Sequence, residues 1–170
     1  VSVTGPIVAQ IQAVFAVDWY YACKEVLTPE VLTPPDAQVA DEHEEEQASA
    51  MQIIPSGPAF KGEPNLRAFV HMISSARTHV SITSPYFIPD EALMTALTNA
   101  ALSGVTVELF VSEQFDQFLV GHAQRSYYGP LLKAGVRIHL YHKPRMLHSK
   151  YMIVDGSLCI IGSSNMDVRS

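Results

Sequence analysis

Two polar residues near the end of the chain, His148 and Lys150, stand at the start of an otherwise apolar run. In a β-strand, residues two positions apart point to the same face, so these side chains are predicted to project side by side. An imidazole and an ammonium placed in this way can share one anion. The lysine neutralises and orients the anion, while the histidine, with an ordinary pKa of about 6.5, attacks it or exchanges a proton with it. This combination suits phosphorus chemistry.

An aspartate and a polar turn follow on the same stretch of sequence. Asp155 falls on the opposite face of the predicted strand and at its end. We therefore expect it to have a supporting role, in the turn or in a buried ion pair, and not a role in bond making. The turn at residues 162–165 has the sequence Gly-Ser-Ser-Asn, which offers backbone N–H groups, two hydroxyls and an amide. These are neutral donors that a phosphate oxygen accepts well.

The elements that must position these residues are predicted from hydrophobic periodicity. Strands alternate with helices, which predicts an α/β layered sandwich with a mixed, largely parallel β-sheet flanked by helices. In such sheets ligands gather at the carboxyl ends of the strands, where this sequence places residues 83–86, 112–113 and 162–165. The predicted strands are 51–54, 80–83, 105–111, 136–141, 147–154 and 158–161, and the predicted helices are 64–77, 90–102 and 115–134.

Composition limits the class of protein. A chain of 170 residues that is 48% hydrophobic can build a real core. Its formal net charge of −6 argues against coating a nucleic-acid backbone, although much of that acidity lies in the run at 41–46. The 2 cysteines suggest neither a disulfide framework nor a zinc site. We expect a helix within 1–26, an acidic linker with several prolines over 27–49, and the α/β domain over 50–170.

The spacing of the polar residues resembles a family motif. His148-x-Lys150-x4-Asp155-x6-Gly162-Ser163-x-Asn165 is similar to the HKD motif of the phospholipase D superfamily. Further segments resemble the second half of bacterial cardiolipin synthases, and they cover residues 55–58, 84–90, 125–128, 131–136 and 165–170. The resemblance implies one half of a phospholipase D-like fold. It also implies that the helix within 1–26 corresponds to the end of a preceding catalytic half of the protein.

The resemblance implies a chemical role for each residue of the motif. His148, Lys150 and Asp155 would be the catalytic set, and Lys150, Ser163 and Asn165 would bind the substrate phosphate. The reaction would be a ping-pong phosphatidyl transfer between two phosphatidylglycerol molecules through a phosphatidyl-histidine, with neither a metal nor another cofactor. Whether His148 is the nucleophile or the general acid is left open.

The resemblance also implies partners and a location. These enzymes use two HKD motifs, and here only His148 is followed two positions later by lysine. The second histidine would come from a first half of the same chain, expected upstream of Val1, or from a second copy. An orienting acid is expected beyond Ser170. The full-length protein would lie on the cytoplasmic side of the cell membrane and contact phospholipid but no nucleic acid, whereas the isolated piece would be soluble.

Two other interpretations remain open at this stage. A chain with a single motif could dimerise and act as a phosphodiesterase or nuclease of the same superfamily. The net charge of −6 argues against that alternative. The piece of 170 residues could also be a folded fragment without activity, because half of the active site is expected elsewhere.

Overall fold

A computed structural model describes residues 3–28, 49–57, 60, 62–115 and 118–167. The chain divides into two compact units, Val1–Pro55 and Ser56–Ser170. Most of the predicted linker, at 29–48, lies outside the described residues. Residues 168–170, the end of the segment 165–170 that resembles cardiolipin synthases, also lie outside them. Within the described part of the chain, no helix has the length and apolar character needed to cross a bilayer.

The first unit contains helix α1 (Ile7–Cys23), which confirms a helix within 1–26. It ends where Lys24 adopts a left-handed conformation with φ of 60° and donates its N–H to the Tyr20 carbonyl at 2.8 Å. The strand predicted at 51–54 is wrong, because these residues have no regular structure. The backbone N–H of Ile53 instead donates to Oε1 of Gln10 at 3.3 Å.

The second unit is a mixed sheet with helices, as predicted. Its elements in chain order are α2 (Pro64–Ser75), β1 (His79–Thr83), β2 (Phe87–Ile88), α3 (Glu91–Leu102), β3 (Thr106–Ser112), α4 (Phe118–Ser126), α5 (Tyr128–Ala134), β4 (Arg137–Tyr141), β5 (Tyr151–Val154), β6 (Leu158–Ile161) and β7 (Met166–Asp167). The main sheet has the order β4-β3-β1-β5-β6. Strands β4, β3 and β1 are parallel, whereas β5 is antiparallel to both β1 and β6. Strands β2 and β7 form a separate parallel pair.

One face of the main sheet forms the core. Successive side chains of a strand point to opposite faces of the sheet. Residues that pair across β3, β1 and β5 therefore place their apolar side chains on the same face. Ile82, for example, pairs with both Leu109 and Met152, and each of the three is at most 1% exposed. Helices α2, α3 and α5 complete the core with their own buried residues, which include Phe69, Ile73, Leu93, Leu97 and Leu131.

Two predicted elements differ from the structure for identifiable reasons. The helix expected over 115–134 is interrupted at Tyr127. Pro130 lacks the N–H that would bond the Ser126 carbonyl, and its ring crowds that carbonyl, so α4 ends at Ser126. The strand expected over 147–154 begins only at Tyr151, because that residue pairs with Thr83, the last residue of β1. The short strands β2 and β7 were not predicted.

Candidate active site

The strand directions bring the motif to one edge of the sheet. The parallel strands β1, β3 and β4 end at Thr83, Ser112 and Tyr141, so their carboxyl ends lie at the same edge. Strand β5 runs in the opposite direction and therefore begins there, and β6 ends there. The residues that precede β5 and the residues that follow β6 consequently meet beside the three parallel strand ends.

His148 and Lys150 lie in contact at this edge. Nζ of Lys150 is 3.2 Å from Nδ1 and 3.4 Å from Nε2 of His148, and it donates to the His148 carbonyl at 2.8 Å. The two ring distances are nearly equal, so the ammonium lies over the ring and does not occupy the in-plane direction of either ring nitrogen. The imidazole is exposed, and partial burial lowers the pKa of Lys150. A partly desolvated ammonium attracts a phosphate oxygen more strongly than a fully hydrated one does.

Asp155 lies at the other end of the β5–β6 hairpin. It lies five positions after Lys150, which is about 16 Å of extended chain at roughly 3.3 Å per residue. Its Oδ1 accepts from the Thr78 N–H, the Thr78 hydroxyl and the His79 N–H, and its Oδ2 accepts from the Arg77 N–H, at 2.8 to 2.9 Å. The backbone bond from His79 is the largest of the interactions that hold the pKa of Asp155 well below its usual range. The carboxylate thus joins the hairpin turn to the start of β1.

The turn after β6 begins directly beside Lys150, because the Gly162 N–H donates to the Lys150 carbonyl at 3.1 Å. Ser163 is exposed in this turn, and Asn165 is half-buried. Ser164 between them accepts from Nδ2 of Asn65 at 2.8 Å, and its hydroxyl lies 3.3 Å from that of Ser56. The start of α2 is therefore tied to the middle of the turn.

The far end of the same turn is attached to β1. Ser84, which is 1% exposed, follows the last residue of that strand. Its hydroxyl donates to the Tyr86 carbonyl at 2.6 Å and accepts from the Met166 N–H at 3.2 Å. The turn that contains Ser163 and Asn165 is thus held on both sides.

The segment that precedes β5 is attached to the end of β3. The Leu147 N–H donates to the hydroxyl of Ser112 at 3.2 Å. The Glu113 carboxylate lies 3.1 Å from Nδ1 of His142 and accepts from the Lys143 N–H at 3.3 Å. These bonds lower the pKa of Glu113, and the bond to His142 has the largest effect. Within the described ranges, no three His, Cys, Asp or Glu side chains come together as a metal site would require.

Sequence reasoning found part of this arrangement. It predicted that His148 and Lys150 lie together and that the polar residues after the strands meet at one edge. The contact is present, but the strand parity from which it was predicted does not apply, because both residues precede β5. Sequence reasoning did not identify the bonds of Ser112 to Leu147 or of Asn65 to Ser164, which join positions 35 and 99 residues apart. A serine that ends an apolar strand is a signal for such a contact, since a buried hydroxyl requires a partner. Asn65 carries no comparable signal.

Known proteins that are similar to this chain come from the family that its motif resembles. The family model described as "Cardiolipin synthase, PLD-like domain" matches residues 69–170. The cardiolipin synthase of Geobacillus thermodenitrificans is 44% identical over 99% of this chain and 32% of its own length. The probable cardiolipin synthase YwiE of Bacillus subtilis is 40% identical over 98% of this chain and 32% of its own length. The chain thus spans about a third of these relatives.

A solved structure supports the fold. The crystal structure of a phospholipase D family member, Nuc from Salmonella typhimurium, covers 60% of this chain and 64% of its own, with a TM-score of 0.50 at 24% identity. That likeness concerns the fold alone, whereas the family model and the relatives cover the motif itself. The chain belongs to the family of cardiolipin synthase, phospholipase D-like domains.

Proposed function

We propose that the gene product containing this chain is a phosphatidyl transferase that forms cardiolipin from two molecules of phosphatidylglycerol. The names of relatives 40 to 44% identical support the reaction. The observation that carries the proposal is the contact of Lys150 with His148 beside the start of a donor-rich turn. A nucleophile or acid, a cation and neutral donors are what the transfer of a phosphodiester requires.

The proposed reaction has two steps. A ring nitrogen of one histidine attacks the phosphorus of the first phosphatidylglycerol, and a P–N bond forms while the P–O bond to the terminal glycerol breaks. A second histidine gives its proton to the departing glycerol oxygen. The hydroxyl of a second phosphatidylglycerol, deprotonated by that second histidine, then attacks the phosphorus and the P–N bond breaks. The products are cardiolipin and glycerol, and both histidines return to their starting states. His148 would be one of the two.

The other residues of the motif would stabilise the charge that moves in these steps. The Lys150 ammonium would neutralise a non-bridging phosphate oxygen, and Ser163 and Asn165 would donate hydrogen bonds to it. A preorganised donor of this kind contributes about 3 kcal/mol in a transition state. Asp155 would act at a distance, by fixing the hairpin on which Lys150 and the turn are mounted.

The second half of the site would come from a first HKD half of the same gene product or from a second copy. Phosphatidylglycerol is a membrane lipid, so the full protein would work at the cytoplasmic face of the cell membrane.

The test uses the full gene product and vesicles of phosphatidylglycerol, with cardiolipin and glycerol measured together. His148→Ala should abolish the release of both products. His71→Ala is the matched control, since His71 is exposed on α2 and outside the site, and it should retain full activity. Cardiolipin formation at the normal rate by His148→Ala would refute the role of the motif. Cleavage of DNA by the unmodified protein, without cardiolipin formation, would instead favour a nuclease.

A further inference from the structure

The segment that contains His148 has little regular structure of its own. Residues 146–150 belong to neither a helix nor a strand, and β5 begins only at Tyr151. The position of the imidazole therefore depends on the bonds that its neighbours make. After His148 this support comes from the bond between the Lys150 carbonyl and Gly162. Before His148 it comes from the end of β3.

Ser112 makes the contact nearest to the histidine on that side. It is the last residue of β3 and is 0% exposed, and its hydroxyl accepts from the Leu147 N–H at 3.2 Å. The bonded N–H belongs to the peptide group between Met146 and Leu147, so this bond fixes the backbone one residue before His148. Ser112 also lies on a strand whose backbone pairs with β1 and β4 on its two sides. A hydroxyl on such a strand is a rigid reference point.

Glu113 supports the same segment farther from the histidine. Its carboxylate lies 3.1 Å from His142 and 3.3 Å from the backbone nitrogen of Lys143, at the beginning of the segment. His142 is largely exposed, with 87% of its side-chain surface accessible, so water competes for this contact. The bond of Ser112 is partly buried and its hydroxyl comes from a fully buried residue, so it is the stronger constraint of the two.

We infer that Ser112 is a positioning residue for the phosphatidyl transfer, an inference that rests on the proposed function. Its hydroxyl holds the backbone N–H of Leu147 so that the following residue, His148, turns its imidazole toward the phosphorus at the edge of the sheet. The serine acts through the backbone, and its loss should lower the rate of the chemical step more than the affinity for lipid. A displacement of about 1 Å of a reacting group can cost about 100-fold in rate.

The experiment measures kcat and KM of the full gene product with phosphatidylglycerol in mixed micelles, and the folded fraction from a thermal melt. Ser112→Ala should lower kcat about 10- to 100-fold with KM within about twofold, because the displaced imidazole reacts slowly while the lipid still binds. Ser112→Thr keeps an acceptor and should recover part of kcat. Ser81→Ala, on β1 of the same sheet, is the control and should match the unmodified protein.

Three outcomes would overturn the inference. The first is a kcat of Ser112→Ala, per folded molecule, within about twofold of the Ser81→Ala control. The second is a loss explained entirely by the unfolded fraction. The third is a folded Ser112→Thr that is as slow as Ser112→Ala. If the unmodified protein forms no cardiolipin, the proposed function fails; if it does and Ser112→Ala is equally fast, only this inference fails.

Discussion

The hydrogen bond between Asn65 and Ser164 gives a direct test of how the donor turn is held. Nδ2 of Asn65, in the first turn of α2, donates to the Ser164 hydroxyl at 2.8 Å in a partly buried setting. The Ser56 hydroxyl lies 3.3 Å from the same oxygen. Ser164→Ala removes the common partner of both side chains. The turn should then lose its attachment to α2 while keeping the bond of Met166 to Ser84.

The size of the effect follows from the bonds that are lost. A neutral hydrogen bond contributes about 0.5 to 1.5 kcal/mol to stability, so the loss of the short bond and weakening of the longer one should cost about 1 to 2 kcal/mol. For a folding unit of the length of this chain, that loss corresponds to a fall in Tm of about 2 to 8 °C. Cardiolipin formation should fall as well, because Ser163 and Asn165 flank the freed residue.

The assay is a double-mutant cycle on the full gene product, with free energies of unfolding from denaturant titration. Ser164→Ala, Asn65→Ala and the double variant should give a coupling energy of about 0.5 to 1.5 kcal/mol, because the two residues share one bond. Ser157→Ala, in the turn at the other end of the hairpin, is the control and should not couple to Asn65. A coupling energy below about 0.3 kcal/mol, which is the scatter expected for independent sites, would refute the reasoning.

Two further predictions concern other polar contacts. Asp155→Asn keeps the three bonds at Oδ1 but turns an N–H₂ group toward the Arg77 N–H, so the variant should be less stable at neutral pH. The pKa of Asp155 is lower in the folded protein than in the unfolded one, so its stabilisation is fully present above the unfolded pKa of about 3.9 and is lost as the pH falls. The difference in free energy of unfolding between the two proteins should therefore be smaller at pH 2.5 than at pH 7. Gln124→Met should lower the free energy of unfolding by about 1 to 3 kcal/mol, because Gln124 is 0% exposed and its Oε1 accepts from the Phe87 N–H at 2.9 Å. Gln114→Met, at an exposed position, should leave the unfolding midpoint unchanged, and equal midpoints for both variants would contradict the role of Gln124.

The sheet was predictable where burial controls the sequence pattern. Strands β1 and β3 lie inside the sheet, and their alternating or apolar residues predicted them to within one residue at each end. The start of β5 was not predictable in the same way. Its limit depends on where the neighbouring β1 ends, and that is a tertiary pairing which the local sequence of β5 does not contain. The two-residue strands β2 and β7 are too short to produce any period.

The site was predictable where chemistry requires a particular residue type. His148 and Lys150 stand out because an imidazole and an ammonium are unusual at the start of an apolar strand. The supporting residues are ordinary by comparison, since Ser112 and Asn65 are common types whose contacts depend on which strand or helix lies beside them. Long-range hydrogen bonds of this kind become visible only when the elements have been placed.

The spacing of the motif is explained by the length of the hairpin. The four residues between Lys150 and Asp155 are strand β5, and the six residues between Asp155 and Gly162 are two turn residues followed by the four of strand β6. Two strands of equal length bring Gly162 opposite Lys150, and the bond of 3.1 Å between their backbones closes the pair. An inserted residue in either strand would move the donor turn out of register with the lysine and send the following side chains to the other face. Asp155 is therefore tied to the histidine by geometry: it anchors the closed end of the hairpin to β1, and the open end presents Lys150 and the donor turn together.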